Sequence, residues 1–258
     1  MQPHKSEYWL FPKIKDWQAF VARVALVCQL ILESVQQLRP HRHLISVDEK
    51  TSIQALERAE GVAPDSKGRR WRKEFEYTRH GTTCLMAAID VGAGKIMHER
   101  LHPTRTEDDF AEFIEQAAAK FPVGDEVVIL ADQLNTHLSE SLVKWVAGQV
   151  AFEGDLGKKG LTGILKNQES RREFLENPEH RIRFVYTPKH CSWLNPIENW
   201  FAKFQRHVIT NGNFSSVKEL TAKIEAYIVY YNRCLVKPLK WKFKGFIKAQ
   251  ELKNINGQ

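Results

Sequence analysis

Two aspartates stand directly behind apolar runs: Asp48 follows HLISV and Asp132 follows VVILA. A carboxylate at the C-terminal end of a strand leaves the sheet core and faces the crevice where open α/β sheets bind ligands. Either one alone also reads as a turn-former or a helix cap. A third acid, Glu198, lies in TPKHCSWLNPIENWF (187–201), at the start of a helical run. Two Asp and one Glu make an oxygen donor set of the kind hard divalent cations take, magnesium using one or two protein carboxylates per ion. Two such ions ~3.5–4 Å apart activate an attacking oxygen and stabilise a leaving oxygen in line at phosphorus. That chemistry needs no Ser, Cys or His nucleophile.

Glu198 has a second reading. Asn195 as N-cap, Pro196 at the first helical position and Glu198 three residues after the cap have the form of a capping box. The helix carries the stripe Ile197, Trp200, Phe201, Phe204 and Val208. At ~100° per residue Glu198 lies at the margin of that stripe, free to cap or to reach across to a sheet. The residues leave both readings open.

The elements that must position these acids follow from periodicity. A helix is expected over about 13–39, with Trp17, Phe20, Val21, Val24, Ala25, Cys28 and Leu32 at helical spacing, ended by Pro40. HLISVDEK reads as a strand with Leu44, Ser46 and Asp48 on one face. A hairpin turns at Asp90–Gly94. A helix follows over 106–121, with Thr106 as N-cap, Asp108 and Asp109 in its first turn, and a stripe of Phe110, Phe113, Ile114 and Ala117. EVVILAD is a buried central strand, and Asn135 or Thr136 caps the helix after it. Gly148–His180, rich in Gly and charge, reads as an insertion with a short helix over 168–175. RIRFVYTP is a last strand, and helices over 195–209 and 216–231 complete the chain. An antiparallel meander followed by a βαβ-like half fits one mixed α/β sheet flanked by helices.

Bulk properties narrow the class. Apolar content of 43% and charged content of 27% exclude a disordered chain. The longest apolar run, Ala19 to Val35, is broken by Arg23, Gln29 and Glu33 and has no cleavage site, so no membrane span or signal peptide is expected, and the cytoplasm is the expected compartment. Cys28, Cys84, Cys191 and Cys234 form no CxxC pair, which argues for reduced thiols and against zinc. The net charge of +7 is concentrated in KGRRWRKEFEYTRH (67–80, net +4) and RCLVKPLKWKFKGFIK (233–248, net +6), leaving −3 elsewhere. Both patches interleave cations with aromatics. They suit phosphate backbones, with rings available to stack on bases; solvated surface charge is the alternative.

Taken together, LISVDEKTSIQALER, RHGTTCLMAAIDVGAGKI, VILADQLNTH, TPKHCSWLNPIENWF and NFSSVKEL resemble, in order from about His43 onward, the catalytic domain of mariner-like DDE transposases of bacterial insertion sequences. The resemblance implies a ribonuclease H-like fold with a mixed five-stranded sheet. It implies a helical lead-in or linker over 1–40 and a catalytic domain over 41–258, interrupted at about 148–180. Asp48, Asp132 and Glu198 are then the catalytic acids and the ligands of two Mg²⁺ or Mn²⁺ ions. The implied reaction cuts double-stranded DNA at element ends and transfers the 3′-hydroxyl into target DNA. Lys50, Arg69, Arg70, Arg72, Lys73, Arg79, His137, Lys189 and His190 are the expected DNA contacts, with Trp193 as a packing anchor. A homodimer and a bacterial, nucleoid-associated location are also implied. The lead-in is shorter than the helix-turn-helix modules of the family, which implies a separate DNA-binding polypeptide. Gln133 departs from the family's asparagine after the second aspartate, and the interval from Asp132 to Glu198 is longer than in compact relatives. A ribonuclease H-like nuclease without strand transfer, or an inactive DNA-binding remnant, are the competing readings.

Overall fold

The strand EVVILA is buried at every residue but its first, and IRFVY at all five, so both faces of this part of the sheet must be covered. In the computed structural model, which describes residues 14–58 and 76–246, they are. The elements run α1 (Trp17–Val35), β1 (Arg42–Glu57), β2 (Thr78–Asp90), β3 (Lys95–His102), α2 (Glu107–Ala118), β4 (Glu126–Ala131), α3 (Glu140–Gln149), α4 (Gln168–Leu175), β5 (Ile182–Tyr186), α5 (Pro196–Phe204) and α6 (Val217–Tyr230). Five strands form one sheet in the order β3-β2-β1-β4-β5. The β1–β2–β3 half is antiparallel, while β4 and β5 add in parallel. This is the mixed sheet that the strand order implied, with the five strands that the family resemblance implied.

Strand alternation assigns the faces. Ile45, Val47, Val127, Ile129 and Phe184 point toward α2, α3 and α4. Leu44, Val128, Leu130 and Val185 point the other way, toward α1. On that second face, beyond α1, Leu85, Ala87 and Ile89 of β2 pack under α5 and α6. Segment 148–180 contributes to the first core: Leu165, Phe174 and Leu175 are buried with Ile182 and Phe184.

Four local expectations are corrected. First, β1 does not end at Asp48. Its pairing with β4 stops at Ser46, whereas its pairing with β2 continues through Asp48 opposite Ala87 to Glu57 opposite Thr78. Ser52, at φ 55°, marks a bulge on the way. Second, α1 starts at Trp17, with Asp16 accepting the Ala19 N–H. Its buried stripe is Val24, Val27, Cys28, Leu30 and Ile31, not one through Trp17 and Ala25. Third, α1 is long and apolar enough by length and composition to cross a membrane; here that stripe packs on the sheet, and Arg23 pairs with Glu176. Fourth, Asn135–Leu138 forms a 3₁₀ turn, and Ser139 caps α3 by accepting the Leu142 N–H.

The start of α2 is as expected and carries a stability prediction. Thr106 accepts the Asp109 N–H, and the Asp109 carboxylate accepts from the Thr106 N–H and from the Thr104 and Thr106 hydroxyls. Burial pushes the Asp109 carboxyl up, but these bonds and His102 outweigh it and hold it at about 2. Its contribution is therefore full above ~4 and lost as pH falls through about 2. Asp109→Asn is expected to cost about 2 kcal/mol in urea unfolding at pH 7. The difference from wild type should vanish near the acid limit.

Candidate active site

Asp48 projects from β1 beyond the last rung to β4. Its Oδ1 accepts the Glu49 N–H at 2.8 Å, and its Oδ2 accepts from Asn195 Nδ2 at 3.2 Å. The same Asn195 amide donates to Val47 O at 3.0 Å and accepts the Ser46 hydroxyl. Ser46 Oγ in turn accepts the Ile197 N–H at 2.9 Å, so a residue of β1 caps α5 from outside the helix. Ser46 and Asn195 are both fully buried.

This lattice rules out one of the two readings of Glu198, the capping box. The Asn195 side chain makes no helix-cap bond, and there is no capping box with Glu198. Asn195 is committed to β1 instead. The Glu198 carboxyl is electrostatically in reach of Lys50 and Asp132.

Asp132 follows the last residue of β4. Its Oδ1 accepts the Leu134 N–H at 2.9 Å and lies 2.7 Å from His137 Nδ1. His137 Nε2 lies 3.0 Å from Glu49 Oε2, and its ring stacks on Phe110 with centroids 4.1 Å apart. With a carboxylate at each nitrogen, the buried ring carries both protons. Burial pulls its pKa down, but the bonds to Asp132 and Glu49 raise it to about 10. The expected DNA contact at His137 is corrected. The side chain is fully buried, so its work is to hold Asp132 in place. Glu49, missed in the sequence, was signalled by alternation: one residue after Asp48, it must face the opposite side of β1.

The three acids share one electrostatic environment. Burial raises the Asp48 carboxyl to about 7, with the negative charges of Asp132 and Glu198 adding to it. Glu198 is also raised, by burial first and then by Asp132, against the opposing Lys50. Asp132 is lowered, because His137 outweighs its burial. Among the described residues no three His, Cys, Asp or Glu groups stand at metal-holding spacing. The donor chemistry nonetheless fits hard divalent cations: three carboxylates repel one another, and both side-chain contacts of Asp132 use Oδ1.

The other expected contacts lie as follows. Lys50 is half-buried on β1, while Lys189 and His190 are exposed just before the turn that leads into α5. Arg79 is exposed and donates to the Tyr77 hydroxyl. Arg69, Arg70, Arg72 and Lys73 lie outside the described residues. Gln133, at the family's asparagine position, donates to Thr187 O at 2.8 Å and ties the ends of β4 and β5.

The sequence profile of the DDE superfamily endonucleases matches residues 43–221. Among solved structures, the fold is similar to the Mos1 mariner paired end complex with Mn, with a TM-score of 0.53 and 13% identity, over 87% of this chain and 59% of that one. It is similar to the pre-cleavage Mos1 transpososome, with a TM-score of 0.52 and 11% identity over 87% and 59% of the two chains. The Mos1 strand transfer complex gives 0.50 and 12%, over 89% and 58%. The chain thus spans less than two thirds of those chains, and at these identities the likeness is one of fold, which is ribonuclease H-like. No curated protein matches the sequence.

Proposed function

The chain belongs to the DDE superfamily endonucleases, and on that premise we propose that it is the catalytic domain of a mariner-like transposase. It cuts double-stranded DNA at element ends and joins the freed 3′-hydroxyl to target DNA. The observation that supports this most directly is that Asp48 on β1, Asp132 just after β4 and Glu198 on α5 act on one another's charge, with Lys50 opposing at Glu198.

Asp48, Asp132 and Glu198 would hold two Mg²⁺ or Mn²⁺ ions, which when bound supply activation of the attacking oxygen and stabilisation of the leaving one. The chain's own residues do the positioning. The Glu49 N–H and Asn195 orient Asp48, His137 orients Asp132, and Ser46 fixes the first turn of α5 and with it Glu198. Lys50, whose charge opposes the upward shift of the Glu198 carboxyl, places a cation where a phosphate must approach a negative site. A homodimer in the active complex belongs to the same proposal.

The test is cleavage of duplex DNA carrying the element's own ends. Cleavage is expected with Mg²⁺ or Mn²⁺, none in EDTA, and none above background for Asp48→Asn with either metal. Metal-dependent cleavage that survives Asp48→Asn removes the site assignment.

A further inference from the structure

The segment after α6 takes no part in the acid site, yet it carries a concentrated run of positive charge. Residues 236–246 form neither helix nor strand, and from Leu239 onward their exposure alternates. Leu239, Trp241 and Phe243 are partly buried, whereas Lys240, Lys242 and Lys244 are exposed. The inward side chains complete the core under α1, with Trp241 against Cys28 and Phe243 edge-on to Trp193 at 5.4 Å. Two of the rings expected to stack on bases, Trp241 and Phe243, are therefore turned inward, and alternating with them Lys240, Lys242 and Lys244 face outward.

The path of this strap is fixed at both ends. Near its start, Asn232 pairs with the N–H and C=O of Ile96, and the Tyr231 hydroxyl donates to Gly94 O at 3.1 Å. The strap then crosses the β2–β3 turn so closely that a Cβ on Gly94, at φ +69°, would lie 2.5 Å from Lys237 O. Near its end, Gly245 at φ +96° passes α1 at Ala25, and Phe246 meets Trp17 and Phe20 at 5.6 and 5.9 Å. Between these points a cleft lined by Asn199, Lys203, Lys237 and Lys240 separates the strap from α5, one residue from Glu198.

We propose that this strap is a track for the phosphate backbone of duplex DNA, leading past α5 to the acid site and reading no sequence. The proposal rests on the reading that the chain acts on DNA. Two residues of extended chain advance ~6.7 Å, which is close to the step between phosphates along one strand. Lysine ammonium groups act as point charges suited to phosphate, and packing of the alternate residues holds their spacing. The lysine ion pairs among the described residues involve Lys144 and Lys159, so none neutralises the row. Duplex DNA is favoured as the occupant because Lys240, at the head of the row, lines the cleft together with Lys203, Lys237 and Asn199, the neighbour of Glu198 in the sequence, so cations extend from the strap to the helix that carries the third acid.

The test measures equilibrium binding of the full chain to a short labelled duplex of arbitrary sequence, in EDTA across a salt series. Without metal no cleavage occurs, so failure of the catalytic reading does not affect the result. In the triple variant Lys240→Ala, Lys242→Ala, Lys244→Ala, the slope of log K against log salt should fall by about 2.7 units. Affinity at low salt should drop about tenfold or more, equally for unrelated sequences. An equal charge loss at Lys120, Lys218 and Lys223 should leave both nearly unchanged. Because the three lysines face outward, unchanged thermal unfolding should accompany the loss. An unchanged slope overturns the proposal, and so does loss of binding to anionic phospholipid vesicles while DNA binding is kept.

Discussion

Glu198→Gln is expected to abolish metal-dependent cleavage while leaving the fold intact. The two halves of this expectation have separate physical grounds. Glutamine keeps the size of the side chain and most of its helix propensity. The α5 start is held by Ser46 and Asn195, not by Glu198. Removing a charge whose pKa is already raised by burial and by Asp132 relieves repulsion. Stability should therefore stay within ~1 kcal/mol of wild type in urea unfolding. A neutral amide, however, is a poor ligand for a hard divalent cation. Cleavage should fall to background, and the binding of Mn²⁺ measured by calorimetry should weaken or lose an ion. A Glu198→Gln protein that cleaves at the wild-type rate would show that the site lies elsewhere.

The second large effect concerns Glu49 and His137. Their pair is sealed between β1 and the 3₁₀ turn, and Glu49 Oε1 has no hydrogen-bond partner. Taking away His137 leaves the buried Glu49 charge stranded, whereas taking away Glu49 leaves His137 paired with Asp132. His137→Leu is thus expected to cost about 3–5 kcal/mol, and Glu49→Leu less. The double variant replaces both charges by apolar groups beside Phe110, and should recover a large part of that loss. Activity should not recover with it. Without the imidazole, Asp132 loses its 2.7 Å contact and is held only through Leu134. A refolded but inactive double variant separates the positioning role from a purely structural one. If cleavage returns with stability, His137 is only a core residue.

How much of this was legible in the sequence differs from element to element. The apolar runs of β4 and β5, the turn at Asp90–Gly94 and the Thr106 cap were readable because local patterning alone decides them. The continuation of β1 was hidden. Beyond Asp48 it has a neighbour on one side only and a bulge at Ser52, so the expected strand stopped at Lys50 and Thr51, Ser52 and Gln54 fell outside it. Asn195 does hold the N-cap position, with Pro196 first in the helix, but the bonds of its side chain were misread for another reason. A buried asparagine at a helix start is an N-cap by every local rule, and only a strand about 150 positions earlier in the chain claims its amide. His137 was placed at the site but turned the wrong way, because its partner Glu49 lies 88 positions away. The acids themselves were found through their place at element ends and through family resemblance, not through local periodicity.

The Asn195 amide does what a peptide group of β4 would do if that strand ran one residue further along β1. It donates to Val47 O at the first place where the neighbouring strand has gone. This makes the chemical durability of one side chain matter to the whole site. Asparagine ages to aspartate when the backbone nitrogen of the next residue attacks the side-chain carbonyl. Here that would swap a donor for a fourth carboxylate facing Asp48 Oδ2 across 3.2 Å. The next residue is Pro196, whose ring nitrogen carries no hydrogen and cannot close that cycle. The residue that starts α5 therefore also protects the amide before it from spontaneous decay.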